Sequence, residues 1–130
     1  MSLVGNGIKG IMLVSGAATC TMVYAAIAPQ PALRVMFGET LEGPLAEILV
    51  RNWGVLVTLV GVMLMWGAFK PQVRFMALVL GGASKLAFIG LVLAYGLHYL
   101  GQQAAIAIAI DLVWVVLFAW YLLGARSARA

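Results

Sequence analysis

The chain is poor in the residues that carry most enzyme chemistry. It has one cysteine, Cys20, and one histidine, His98, so an intrachain disulfide and a cysteine metal cluster are both excluded. A metal site built on His98 would have no second histidine and no local carboxylate cluster beside it. Only 9% of the residues are charged, with four acids against eight Lys and Arg. A soluble domain usually carries about 25% charged residues, and this chain does not resemble one. No nucleotide-binding fingerprint is present. The run Gly81, Gly82, Ala83, Ser84, Lys85 lacks the spacing of a phosphate loop.

What the chain has instead is apolar length. Hydrophobic residues make up 65% of it, and the mean hydropathy is +1.09. An all-α integral membrane protein is expected, with residues 1–130 forming a single transmembrane domain. Four stretches are long enough to span a bilayer core, which takes about 20 residues at 1.5 Å rise. They cover approximately 8–28, 49–69, 73–97 and 103–124. The first could be mistaken for a secretory signal ending in Ala26, Ile27, Ala28. Pro29 would follow the cut, and Ser15, Gly16, Thr19 and Thr21 interrupt the run, so it is expected to be the first membrane helix.

Lys70, Pro71 and Gln72 form a tight turn that makes the second and third spans antiparallel neighbours. The one long connection, 29–48, contains Ala32, Leu33, Val35, Met36 and Phe37 around the single charge of Arg34. That pattern suits a short interfacial helix, serving as a surface connector or as a lid.

Lys9, Lys70, Arg74, Arg126 and Arg129 group at one side of such a bundle, whereas the first loop is net acidic. Both termini are therefore expected to be cytoplasmic, and the net charge of +4 is explained by topology and anionic lipid rather than by nucleic acid. Trp53, Tyr95 and Tyr99 map to an outer aromatic belt, and Trp66, Trp120 and Tyr121 to an inner one. Trp114 sits well inside the fourth span.

Two charges stand in otherwise apolar spans, Lys85 in the third and Asp111 in the fourth. Each would cost about 2.5 to 3.5 kcal/mol at a helix centre if left alone. Counting rise per residue from Arg74 and from Gln103 puts Lys85 about 16 Å from one face and Asp111 about 12 Å from the other. In a core of about 30 Å these depths nearly coincide, so the two are expected to meet or to share a polar cavity. Thr19, Thr58, Ser84 and Trp114 lie at similar depth and complete the candidate intramembrane polar or ligand site. A direct Ser84–Lys85 nucleophile and base is disfavoured because adjacent helical residues point about 100° apart. The pair can act as a structural lock, a proton site or a ligand counter-ion. Glu47 and Arg51 form an i,i+4 pair near the outer interface, with Asn52 beside them as a cap or loop partner.

The second span also aligns Gly54, Thr58 and Gly61 on one face, which permits close approach of another helix, in the same chain or in another subunit.

The proline-containing outer loop, the segment Val50, Arg51, Asn52, Trp53, Gly54, the Lys70–Pro71 turn and the Ser84, Lys85 pair together resemble small four-helix bacterial membrane proteins of the DoxX-like and BphX-like kind. The resemblance implies the four-helix fold and a bacterial inner membrane, and no substrate. Small multidrug transporters share the length and helix count. Their first helix carries an embedded glutamate, and this first span has no acid.

Three functions follow in order of support. The first is a non-enzymatic accessory or assembly subunit, a homo-oligomer or part of a larger membrane complex, holding membrane lipid, a quinone-like molecule or another lipophilic ligand. The second is a small proton-coupled transporter using Asp111. The third is a membrane enzyme acting on a hydrophobic substrate, which no nucleophile, metal set or cofactor fingerprint accompanies.

Overall fold

The computed structural model describes residues 2–129, and side chains for 7–124. Helices α1 (Ser2–Cys20), α2 (Val23–Ile27), α3 (Pro29–Phe37), α4 (Pro44–Phe69), α5 (Pro71–Tyr95) and α6 (Gln103–Arg129) follow in order, with a 3₁₀ turn at Leu97–Gly101. The protein is all-α, and four stretches have the length and hydropathy to cross a membrane, Gly7–Ile27, Pro44–Phe69, Pro71–Tyr95 and Gln103–Gly124.

The boundaries depart from the sequence expectation where proline, glycine and threonine intervene. The expected helix over 8–28 is broken at Thr21 and Met22. Thr19 Oγ1 donates to Ser15 O at 2.7 Å and Thr21 Oγ1 to Ala18 O at 2.6 Å. Such hydroxyls compete for the carbonyls of the helix ladder. The backbone tightens beside them, with Thr21 N donating to Ala18 O at 3.2 Å and Met22 N to Thr19 O at 3.1 Å.

Helix α4 starts five residues early because Pro44 occupies its first turn, following Gly43 at φ 105°. Helix α5 stops at Tyr95 rather than Leu97, where Gly96 leaves the helix.

Lys70 is extended, and Pro71 opens α5, so α4 and α5 form a hairpin. Arg74 closes it. Its Nε donates to Gly67 O at 3.0 Å and Nη2 to Ala68 O at 2.8 Å, satisfying carbonyls that the end of α4 leaves free. Lys9 Nζ sits 4.7 Å from the centroid of the Phe69 ring, which fixes α1's start at this same basic end. The side chains of Arg126 and Arg129 lie outside the described residues.

One core cluster lies in that basic half. Ile8 and Met12 of α1, Leu64 and Ala68 of α4, Ala77 and Leu78 of α5, and Phe118 of α6 form one buried cluster. Lipid is as apolar as these side chains, so close packing rather than escape from water holds them together.

Glycines allow the approach. A Cβ on Gly61 would stand 2.6 Å from Gly16 O, and one on Gly54 would stand 2.5 Å from Ala26 N. The glycine face of α4 therefore packs against the first span of its own chain.

Helix α3 lies across the opposite end. Pro29, Ala32 and Leu33 are buried, and Arg34 and Val35 are exposed. Gly38 ends the helix at φ 77°, a left-handed conformation, where a Cβ would also stand 2.7 Å from the Gln102 side chain.

Candidate functional site

Lys85 shares its face of α5 with Leu78, Gly81, Ile89 and Val92, all buried, so the side chain is carried inward. Its Nζ donates to Asp111 Oδ1 at 2.9 Å and to Thr19 Oγ1 at 3.1 Å. Thr19 is fixed in turn by its bond to Ser15 O, and Ser15 is fully buried with Oγ 3.4 Å from Met12 O. Three spans thus meet at one ammonium group.

The pair is not symmetrical. The Lys85 side chain is 7% exposed and that of Asp111 23%. An ammonium has three donors, and two are taken here. A carboxylate accepts about four hydrogen bonds, and Asp111 accepts one within the described residues.

The unused capacity faces a cavity of about 550 Å³. This lies in the range of small-molecule sites. Lys85, Asp111, Thr19, Ser84 and Trp114 line its polar end, and all five were predicted from sequence as site residues. Trp53, Val57, Phe88 and Leu91 make most of the remaining wall apolar, and Met36 of α3 also lines it.

Thr58, also predicted for this site, is elsewhere. Its hydroxyl donates to Gly54 O at 2.7 Å in its own helix, and its carbonyl accepts from Cys20 Sγ at 3.6 Å. It does not line the cavity. The reason is rotational, because the glycine face of α4 that carries Thr58 is turned to the first span.

Glu47 and Arg51 form the expected ion pair at 3.2 Å. Arg51 also donates to Ala26 O at 2.6 Å and to Ile27 O at 3.3 Å, tying the end of α2 to α4. Gln30 Nε2 reaches Glu47 Oε2 at 3.3 Å. Asn52 caps nothing. Because α4 starts at Pro44, Asn52 is inside the helix, exposed, and without a hydrogen bond among the described residues.

An aromatic cluster escaped the sequence reading. The Phe37 ring centroid lies 6.3 Å from Trp53, 6.4 Å from Phe88 and 5.1 Å from Tyr99, and Trp53 stacks on Phe88 at 6.4 Å. Trp53 and Tyr99 are half-buried in this cluster, whereas Tyr95, Trp66 and Trp120 are exposed.

The phenol of Tyr99 donates to a Glu39 carboxylate oxygen. That bond, reinforced by desolvation and by the negative charge of Glu39, raises the phenol pKa above its ordinary value of 10.0. The signal was hidden because Phe37 and Phe88 are distant in sequence and look like any apolar residue in a membrane chain. Among the described residues no group of three His, Cys, Asp or Glu side chains could hold a metal ion.

No family model matches this chain, and searches of curated proteins and of solved structures find no match.

Proposed function

We propose that this is a small non-enzymatic membrane protein that binds a lipophilic ligand in its helix bundle, as an accessory or assembly subunit of a membrane complex. The observation that carries this reading is the largely apolar cavity of about 550 Å³ that Lys85 and Asp111 face with hydrogen-bonding capacity unused. Apolar walls with few convergent polar groups are the usual make-up of a small-molecule site. A quinone-like molecule or a lipid fits that description.

The core cluster below the cavity disfavours the transporter reading. Among the described residues, a cluster running from Ile8 to Phe118 packs the basic half with buried apolar side chains, which weighs against a proton path from Asp111 to that end. Catalysis is disfavoured because the ammonium of Lys85 is engaged by Asp111 and Thr19, leaving Ser84 no evident base.

The glycine face of α4 is used inside the chain, so a partner subunit would meet another surface. Helix α6 is the candidate, since only 6% of its most apolar stretch is buried against 39% for α5. The reading places the chain in a bacterial inner membrane with both termini cytoplasmic, a placement supported by the basic residues grouped at one end.

Purification in mild detergent followed by native mass spectrometry tests the reading. A bound small molecule retained by the wild type and lost from the Lys85→Met/Asp111→Leu double variant is expected. An empty wild-type protein whose lipid extract matches that of the surrounding membrane would overturn it.

A further inference from the structure

The depth of the polar pair, its charge balance and the directions in which the cavity is closed restrict both the ligand and its route. Counting helical rise from Arg74 and from Gln103 puts Lys85 and Asp111 near the centre of a bilayer crossed by these spans, about 16 Å and 12 Å from its two faces. A phosphate or ammonium head would have to leave the interface to reach them, at the cost of burying a charge. Nothing there would balance it. Among the described residues, Lys85 and Asp111 are the only charged ones on the cavity wall, and they neutralise each other at 2.9 Å. The group that matches what remains is a hydroxyl, which donates to the carboxylate of Asp111 and accepts the third N–H of Lys85.

Both ends of the cavity are covered. The core cluster fills the basic half. At the loop end, α3 places Met36 in the wall, and Phe37 is held among Trp53, Phe88 and Tyr99. The sides are less closed. Leu56, Ala87, Leu91 and Ile110 line the cavity yet are exposed, on segments long and apolar enough to cross a membrane, so in a bilayer they would face hydrocarbon.

We infer that the cavity takes an uncharged amphiphile of the long-chain alcohol class directly from the bilayer, with its hydroxyl on Lys85 and Asp111 and its chain toward Trp53 and Phe88. This rests on the ligand-binding reading above and narrows it to one head group and one entrance.

The test uses proteoliposomes of the full chain carrying Trp66→Phe and Trp120→Phe. These two tryptophans are exposed and line no part of this cavity, so the remaining Trp53 and Trp114 both report from its wall. Dibrominated octadecanol, dibrominated octadecanoic acid and phosphatidylcholine with dibrominated chains share a quenching apolar body and differ in the head. The alcohol is expected to quench saturably, at a mole fraction about tenfold below either other probe, and to lose that preference in the Lys85→Met/Asp111→Leu variant.

Equal or better saturation by the acid or the phospholipid overturns the neutral head while leaving ligand binding intact. No saturable quenching by any probe overturns ligand binding itself. For the route, Glu39→Cys and Tyr99→Cys in a Cys20→Ala background are bridged with a bis-maleimide, which ties the segment just after α3 to the 3₁₀ turn. Unchanged alcohol quenching is expected after bridging. Loss of quenching would place the entrance at the aqueous end and overturn entry from the bilayer.

Discussion

Lys85 and Asp111 meet at 2.9 Å, the first 7% and the second 23% exposed, so the cation is the more deeply committed partner. Removing one member of a buried pair strands the other, at a cost of about 3 to 5 kcal/mol, whereas removing both leaves an apolar contact. Asp111→Leu should destabilise more than Lys85→Met, because it strands the deeper group. The double variant should be more stable than Asp111→Leu. A double-mutant cycle on thermal unfolding in detergent measures this, and additive effects would disprove the coupling.

Thr19 and Thr58 separate by the same kind of experiment. Thr19→Val removes an acceptor from a buried ammonium and should cost about 1.5 to 3 kcal/mol. Thr58→Val removes only a bond to its own helix backbone and should cost under about 1 kcal/mol. Equal losses would mean that Lys85 does not depend on Thr19.

Gly61→Ala should destabilise the folded chain by about 1 to 3 kcal/mol, because the added methyl would stand 2.6 Å from Gly16 O and 2.7 Å from Cys20 Sγ. Particle mass in mild detergent should not change, since the contact is within one chain. A changed mass with unchanged unfolding would assign the face to a subunit interface.

The Tyr99–Glu39 contact should loosen in alkali. A raised phenol pKa means that folding favours the neutral phenol, so the contribution is complete below the ordinary value of 10.0 and is lost as pH rises through the higher folded value. Absorbance titration of the wild type against Tyr99→Phe should reveal one phenol ionising above 10.0. Glu39→Gln should return it toward the ordinary range. A Tyr99 that ionises normally in the wild type would refute the contact.

Orientation is open to labelling in a Cys20→Ala background. A cysteine at Glu42 should react with an impermeant maleimide added outside intact cells, and a cysteine at Gln72 should react only after lysis. The reverse pattern would invert the topology.

The spans, the hairpin at Lys70 and Pro71 and the need for Lys85 to meet Asp111 were legible in the sequence, because each depends on a short stretch of chain or on the cost of a charge at a computable depth. The rotation of each helix was not. In a soluble bundle an apolar stripe marks the inside, but in a membrane both faces are apolar and Leu56, exposed, reads the same as Leu64, buried. Hence Thr58 and Thr19 looked equivalent until packing turned one toward α1 and the other toward Lys85. Only the tertiary structure decided that a cavity opens beside Lys85 and Asp111 while Ile8, Met12, Leu64 and Phe118 pack together in the basic half. The physical reason is which side chains meet: Gly67 leaves room for Met12 and Ala77 to close on α4 in the basic half, whereas the bulky rings of Trp53, Phe88 and Phe37 cluster beside the cavity.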